Sequence, residues 1–284
     1  MTTILDALQK GTGYLEKHGV ESARLNMQHL LATVLGCRRM DLYVNFDKVL
    51  EEARLERLRD LMKRRAQGVP LQHLAGTVEF LGHEFSCDER ALIPRPETEE
   101  LVGVLLKRAW VEKARILDMG CGSGVIGLSL AAHLAAQGVE VVLADLSRLA
   151  LDLARENAAR LVQKLEGADL RFVEGDLFAA VSGEFDAIVA NLPYLSVQDL
   201  AEVSREVRHD PEMALVGGER GTELMERFLG ECPARLRPGG MVAMEFGAGQ
   251  EELLREVALS RGLRDISILR DLQGMPRFLL ASAP

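Results

Sequence analysis

The amino-acid sequence predicts an α/β protein in which a parallel sheet, covered by helices on both faces, follows a small helical bundle and a β-hairpin. Apolar residues recur at helical spacing through roughly the first 75 residues. The segment GTVEFLGHEFSCDE (76–89) then alternates apolar and polar residues around Leu81-Gly82, which is typical of a hairpin. From about residue 113, strand-like and helix-like segments alternate, and repeated βα units of this kind form parallel sheets.

The elements of the alternating region can be assigned in order. The predicted strands are ARILDMG, VEVVLAD, DLRFVEGD, FDAIVAN and MVAMEFG, with two last strands around 266–269 and 278–280. Helices are predicted at GVIGLSLAAHLAAQG, SRLALDLARENAARLVQKL, Leu224 to Leu236 and Glu251 to Ser260, the third ended by Pro238-Gly239-Gly240. Another helix opens at Pro96, because proline suits the first helical position. The predicted domains are 1–75 (helical), 76–90 (hairpin linker) and 91–284 (sheet).

Composition limits the function classes. The 284 residues carry a net charge of −9, and an acidic chain does not hold nucleic acid by general electrostatics. The basic stretch from Arg54 to Arg65 alternates with acidic residues, so it is interpreted as a solvated helix face. The four cysteines have no metal-type spacing, which indicates free thiols in a reducing compartment and no metal site. Neither a signal peptide nor a membrane span is recognisable, so we expect a cytoplasmic protein.

A glycine-rich loop lies between the first strand and the first helix of the alternating region. The loop consists of Gly120, Cys121, Gly122, Ser123 and Gly124. Its glycines permit a tight turn, and its N–H groups and the helix N-terminus face a ligand. Asp145 ends the next strand, where a carboxylate can accept two hydrogen bonds from a ribose diol, and Leu146 beside it is expected to contact the same ligand.

The spacing of the glycines in the loop distinguishes between two candidate nucleoside cofactors. A dinucleotide loop usually reads G-x-G-x-x-G, whereas this loop reads G-x-G-x-G and is preceded by Asp118. A carboxylate there would repel a pyrophosphate but suits a sulfonium and an amino group. The sequence therefore favours S-adenosyl-L-methionine over NAD(P), with an inert tight turn as the third alternative. Asp176 can accept a hydrogen bond from the adenine amino group, and Leu177 can cover the adenine ring. The alternative is that Asp176 caps the N-terminus of a short helix.

The segment VANLPYLS places polar and rigid residues at the end of the fourth strand. Methyl transfer from a sulfonium is an in-line displacement, and an amide or aromatic amino nitrogen is a poor nucleophile that must be aligned. Asn191 Oδ1 and the carbonyl of Leu192 can each accept one N–H, Pro193 fixes the turn, and Tyr194 can stack on the planar group. The alternative is an Asx-turn followed by a stiff proline.

These motifs resemble a known family. Asn-Pro-Pro-Tyr after the fourth strand marks amino-directed methyltransferases with a seven-stranded sheet. The segments RRAQGVPLQHLAG, LIPRPETEELV, ILDMGCGSG and EVRHDPEMALVGGERG are similar to those of the release-factor glutamine N5-methyltransferases, the PrmC/HemK family. The resemblance implies a Rossmann-like class I methyltransferase sheet. It also implies methylation of the glutamine in the Gly-Gly-Gln motif of peptide chain release factors, with S-adenosyl-L-homocysteine as the product.

The resemblance also implies roles for particular residues. Residues 191–194 would grip the substrate glutamine, and the segment containing Arg95 and Glu97 would line the opposite side of the cleft. Leu192 stands where the family usually has proline; its carbonyl is retained, and the lost rigidity should cost about 1 kcal/mol of loop order. Family members often have Trp where Leu177 stands. The helical domain would dock the release factor. The sequence carries no visible sign of oligomeric state, so a monomer is the default expectation.

Two other functions share part of the pattern. A nucleic-acid amino methyltransferase, acting on adenine N6 or guanine N2, would use the same Asn-x-Pro-Tyr chemistry, but it needs a basic face that the charge of −9 disfavours. A non-catalytic protein that binds S-adenosyl-L-methionine would not need Asn191, Pro193 and Tyr194.

Overall fold

The computed structural model describes residues 1–283, which divide into two compact units. The helical unit comprises Met1–Thr77 and a second, separate segment, Ser204–His209. The sheet unit comprises Val78–Val203 and the chain from Asp210 onward. The helical unit is therefore discontinuous in sequence, whereas the sequence analysis assigned residues 204–209 to the sheet domain.

Amphipathic helices build the core of the helical unit. They are α1 (Ile4–Lys17), α2 (Ala23–Leu35), α3 (Glu52–Ala66) and α4 (Leu71–Ala75). Thr3 and Asp6 form a capping box that satisfies N–H groups at the start of α1. Leu8, Met27 and Leu30 are among the buried residues where these helices pack together.

A buried arginine contacts the second segment of the helical unit, Ser204–His209. Arg65 on α3 is only 4% exposed. Its Nε donates to Asn26 Oδ1 at 2.7 Å, its Nη1 donates to the Val69 carbonyl at 3.1 Å, and its Nη2 pairs with Glu206. Because a buried charge without partners is costly, Glu206 helps to satisfy the buried Arg65, although its own side chain is about half exposed.

The sheet unit begins with a hairpin and continues as βα units. Its elements are β1 (Thr77–Phe80), β2 (His83–Ser86), α5 (Pro96–Leu106), β3 (Arg115–Met119), α6 (Val125–Leu134), β4 (Glu140–Asp145), α7 (Arg148–Arg160), β5 (Asp169–Glu174), β6 (Phe185–Asn191), β7 (Leu195–Ser196), α8 (Asp199–Glu202), β8 (Val216–Gly218), α9 (Glu223–Glu231), β9 (Leu236–Glu245), α10 (Glu251–Ser260), β10 (Arg264–Arg270) and β11 (Pro276–Ser282). β1 pairs with β2, and β7 pairs with β8, outside the main sheet.

The main sheet has seven strands in the order β10-β11-β9-β6-β3-β4-β5. Its strands are parallel except β11, which is antiparallel to both neighbours. This architecture confirms the predicted seven-stranded α/β sheet. Strand order reverses between β3 and β6, and ligands bind where such a reversal occurs. Met119 pairs with Ala190 there, so the glycine loop and the Asn191 turn leave the sheet side by side.

Alternate residues of the central strands face two separate apolar layers. Ile116 of β3 belongs to one buried cluster and Leu117 to the other, as the period of two in a strand requires. Both faces are covered by helices, which explains why these strands are nearly continuous apolar runs.

The predicted helix from Leu224 to Leu236 was wrong at its C-terminal end. α9 stops at Glu231, and a short 3-10 helix, Cys232–Arg235, follows. Pro233 explains the stop, because its ring and missing N–H do not fit a helix interior. Pro238-Gly239-Gly240 lies within β9 rather than after a helix, at an irregularity in its pairing with β6. Within residues 1–283, none of the helices is both long and apolar enough to cross a bilayer.

Candidate active site

A cavity of about 350 Å³ opens at the carboxyl edge of the parallel strands. Its wall is formed by the glycine loop, by the residues that end β4, β5 and β6, by the segment before α5 and by part of the chain between α8 and β8. The predicted site residues on this wall are Arg95, Gly120, Cys121, Gly122, Ser123, Asp145, Leu146, Asp176, Leu177, Asn191, Leu192 and Pro193. The structure does not bring Asp118, Gly124, Glu97 or Tyr194 to the wall.

The glycine loop has a backbone that favours glycine. Gly120, Gly122 and Gly124 have φ values of +68°, +54° and +81°, in the left-handed region. The N–H groups of Gly120 and Cys121 both donate to the Ala144 carbonyl, which ties the loop to β4. Gly124 begins α6 and faces the core, where a Cβ would lie 3.0–3.1 Å from three apolar side chains.

Asp145 joins the glycine loop to the end of β4. Its Oδ2 accepts the Gly122 N–H at 2.9 Å, and its Oδ1 accepts the Ser147 N–H at 2.8 Å. Burial raises the pKa of this carboxyl, while the backbone hydrogen bonds lower it. Each carboxylate oxygen can accept more than one hydrogen bond, so both oxygens can also accept from a ligand diol. Leu146 follows on the wall as an exposed apolar surface.

Asp118 has a structural role that the sequence analysis did not predict. It is fully buried, and its Oδ2 accepts the Gly127 N–H of α6 at 2.7 Å. Burial raises the pKa of this carboxyl to about 7, with a smaller contribution from Asp145. The Asp118 side chain lies between β3 and α6 and not on the cavity wall, and its contact with a sulfonium stays a prediction.

The burial of Asp118 predicts a pH-dependent stability. Its pKa in the fold, about 7, lies above the ordinary value of 3.8, so the neutral carboxyl is favoured by folding. The raised pKa of Asp118 contributes to the free energy of unfolding below pH 4, and this contribution is lost as the pH rises towards 7. The whole loss is on the order of several kcal/mol. We expect Asp118→Asn, which does not ionise, to have a flatter profile of unfolding free energy over this interval. Urea titrations at several pH values would measure the profiles, and parallel profiles would contradict the assignment.

Asp176 and Leu177 form the part of the wall beyond β5. The Asp176 carboxylate is half exposed and accepts from Arg227 Nη2 at 2.8 Å. It makes no side-chain hydrogen bond to cap the short 3-10 helix that follows, so the capping alternative has no support. Leu177 is buried with a φ of +46°. Both residues line the cavity.

Asn191 ends β6 and has its amide held from one side. Its Nδ2 donates to Thr98 Oγ1 at 2.9 Å, and Thr98 Oγ1 donates to Glu245 Oε2 at 2.7 Å. Because the amide nitrogen is engaged by Thr98, the oxygen is the amide atom that can accept from a ligand. The roles of Thr98 and Glu245 were not predicted from the sequence. A signal was available only for Glu245, which directly ends the apolar strand β9 at the same edge of the sheet.

The turn after Asn191 differs at one position from the Asn-Pro-Pro-Tyr motif, because residue 192 is leucine. Leu192 is buried on the cavity wall, and a Cβ at Gly120 would lie 2.8 Å from its Cδ2. The leucine therefore packs directly on the glycine loop. Tyr194 packs beside Gly247, and its carbonyl accepts from Gln250 Nε2 at 2.9 Å. Ring stacking by Tyr194 on a substrate has no support from this placement.

The segment before α5 contributes an ion pair to the cavity wall. Arg95 Nη2 lies 2.6 Å from Asp210 Oδ2, and the Asp210 side chain is fully buried. Asp210 Oδ1 also accepts the Ile93 N–H at 3.1 Å. These bonds fasten the chain that follows Ser204–His209 to the wall of the cavity. Within residues 1–283, no group of three or more His, Cys, Asp or Glu side chains could hold a metal ion.

The sheet order, the glycine loop with Asp145, and the Asn-x-Pro-Tyr turn at the end of β6 together define a class I S-adenosyl-L-methionine-dependent methyltransferase. Two family models match the chain: the PrmC N-terminal domain over residues 6–76 and the methyltransferase small domain over residues 97–217. The release factor glutamine methyltransferase of Deinococcus radiodurans is 41% identical over 277 residues, covering 97% of each chain. That of Geobacter sulfurreducens is 39% identical, covering 97% of this chain and 95% of its own. The chain belongs to the release factor glutamine methyltransferase family.

Solved structures support the fold. A methyltransferase from Pyrococcus furiosus matches with a TM-score of 0.52 at 18% identity, covering 82% of this chain and 98% of its own. The human Mettl16 catalytic domain matches with a TM-score of 0.56 at 17% identity, covering 79% and 82% of the two chains. At these identities the likeness shows the fold alone.

Proposed function

We propose that this enzyme transfers a methyl group from S-adenosyl-L-methionine to the side-chain amide nitrogen, N5, of the glutamine in the Gly-Gly-Gln motif of peptide chain release factors. The observation that carries the proposal is the near full-length similarity to relatives named release factor glutamine methyltransferase, at 33–41% identity for the first four. The arrangement of Asn191 at the end of β6 supports it.

The residues around Asn191 suit an amide substrate. A glutamine amide nitrogen carries two N–H bonds and a delocalised lone pair. Asn191 Oδ1 can accept one N–H and the Leu192 carbonyl the other, which holds the nitrogen in a fixed orientation. Pro193 limits the turn so that the two acceptors converge. Fixed acceptors also stabilise the positive charge that develops on the nitrogen, and alignment removes much of the entropic barrier.

The cavity residues fit S-adenosyl-L-methionine, which supplies an electrophilic methyl group on a sulfonium. Asp145 would accept from the two ribose hydroxyls, since both of its oxygens are oriented by backbone N–H groups. Leu146 and Leu177 would cover the adenine ring, and Asp176 would accept from its amino group. The backbone of residues 120–123 would lie against the rest of the molecule. The product released would be S-adenosyl-L-homocysteine.

A nucleic-acid amino methyltransferase is the less supported alternative. The net charge of −9 disfavours binding to a phosphate backbone, which depends on clustered lysine and arginine. The full-length relatives reported above are all named for release factors, not for nucleic acids.

We propose further roles for the rest of the chain. The helical unit would dock the release factor, and no nucleic acid or membrane partner is needed for the reaction. The enzyme would act as a monomer. The cytoplasm is the proposed location, in keeping with free thiols at Cys37, Cys87, Cys121 and Cys232.

Label transfer from radiolabelled S-adenosyl-L-methionine tests the proposal. The protein is incubated separately with a full-length release factor, the same factor with its Gly-Gly-Gln glutamine replaced by alanine, DNA and ribosomal RNA. We expect label in the unaltered release factor alone. Label in nucleic acid, with none in the release factor, would overturn the proposal.

A further inference from the structure

We propose that Thr98 and Glu245 are positioning residues, which determine that the oxygen of the Asn191 amide, rather than its nitrogen, is presented to the substrate. The inference rests on the proposed function, in which Asn191 Oδ1 accepts an N–H from the substrate amide. Neither residue needs to touch the substrate nitrogen for this role.

Three side chains form a continuous series of hydrogen bonds that runs from the cavity wall, where Asn191 and Thr98 lie, to the buried Glu245. Asn191 ends β6, and Glu245 ends the neighbouring strand β9, where the two residues are paired in register. Thr98 lies in the first turn of α5 and connects them, with donor–acceptor distances of 2.9 Å and 2.7 Å. Thr98 is 3% exposed and Glu245 is 1% exposed, so water does not compete freely for these bonds.

The donor and acceptor roles in these two hydrogen bonds follow from the number of protons available. A threonine hydroxyl has one proton to donate, and an ionised carboxylate only accepts. Thr98 gives its proton to Glu245, so towards Asn191 the hydroxyl can only accept. Asn191 must therefore turn its Nδ2 to Thr98, which puts Oδ1 on the opposite side of the amide. Without Thr98 the two orientations of the amide are nearly equal in shape, and one of them presents N–H groups to the N–H groups of the substrate.

The orientation of the Asn191 amide depends on the charge of Glu245. Burial raises the pKa of Glu245 to about 7, and the repulsion of Glu97 adds to this, whereas the hydrogen bond from Thr98 and the charges of Arg277 and Arg95 lower it. Tyr194 is the other titratable group near this carboxyl, and burial raises its pKa. A protonated Glu245 can donate to Thr98, which frees the hydroxyl proton to turn towards Asn191 and lets the amide reverse. The orientation is therefore held above about pH 7 and is lost as the pH falls through this value.

Variants of Thr98 test the role of the hydroxyl. Thr98→Val keeps the shape and removes the acceptor, so we expect kcat to fall on the order of 10- to 100-fold, the range for losing the support of a site residue. The KM for S-adenosyl-L-methionine should change less than about twofold, because the cofactor contacts assigned to Asp145 are untouched. Thr98→Ser keeps the hydroxyl and should restore kcat. Thr222→Val is the matched control: this buried threonine donates to Glu226 at 2.6 Å and is not on the cavity wall.

Glu245→Gln tests the charge dependence, because the amide that replaces the carboxyl does not titrate. The wild-type kcat should fall as the pH is lowered from 8 to 6, and Glu245→Gln should give a flat profile over this range. A low-pH decline that persists in Glu245→Gln would assign the titration to another group, such as Asp118, and would overturn the charge dependence. A Thr98→Val enzyme with the kcat of the wild type would overturn the positioning role.

The same assay separates this inference from the proposed function. A wild-type enzyme that places no label in the release factor would contradict the proposed function and, with it, the positioning role. An active wild type with an unaffected Thr98→Val variant would contradict the positioning role alone.

Discussion

Replacing Asn191 by alanine is expected to lower kcat about 100- to 1000-fold, the range for removing one preorganised group that stabilises developing charge. The variant loses the side-chain oxygen that is proposed to accept the substrate N–H, so the substrate nitrogen is no longer aligned for in-line attack. The affinity for S-adenosyl-L-methionine should stay within about threefold, because Asp145 and the glycine loop are unchanged. Single-turnover kinetics on a release factor and calorimetric titration of the cofactor would measure the two quantities.

An exposed amide serves as the control for this substitution. Gln163→Ala removes an amide side chain that is exposed after α7, and it should leave both kcat and cofactor affinity unchanged. A near-normal rate in Asn191→Ala would show that the amide does not position the nucleophile.

Replacing Asp145 by alanine is expected to weaken cofactor binding by about 100-fold or more, since hydrogen bonds to a charged group contribute about 1.5–3 kcal/mol each. The carboxylate is placed to accept from two ribose hydroxyls, and it also holds the N–H groups of Gly122 and Ser147. Both the ligand contacts and the shape of the glycine loop would be lost. Calorimetric titration of S-adenosyl-L-homocysteine would measure the dissociation constant.

Asp152→Ala provides the comparison for the loss of an acidic residue. Asp152 lies on α7, is about half exposed and pairs with Arg155 at 2.8 Å, away from the cavity wall. Its replacement should leave the dissociation constant unchanged. Equal affinities in Asp145→Ala and the wild type would exclude Asp145 from the cofactor site.

Local patterns were sufficient to predict the sheet and much of the cavity wall. The strands and helices alternate with strong apolar periodicity, and the carboxyl ends of parallel strands meet at one edge, so the glycine loop, Asp145 and Asn191 could be grouped from their places in the sequence. The helix end near Pro233 was mispredicted, and the hydrogen bond from Gly127 to Asp118 was not predicted. Asp118 shares a strand face with Ile116, which packs against α6, and this face also directs the carboxyl away from the cavity.

Other parts of the site depend on contacts between residues far apart in sequence. Thr98 is 93 residues from Asn191 and 147 residues from Glu245, so no local pattern indicates their hydrogen bonds. Arg65 and Glu206 are likewise separated by 141 positions. Such pairings are created by the fold, and only a three-dimensional structure identifies them.

The return of residues 204–209 to the helical unit has a consequence for how the enzyme can be cut or recombined. A shortened chain that starts after residue 77 would keep Glu206 but lack Arg65, its buried partner. The next residue after this segment, Asp210, pairs with Arg95 on the cavity wall. Removing the N-terminal helices would therefore also remove the partner of a residue that lies far downstream in the sequence.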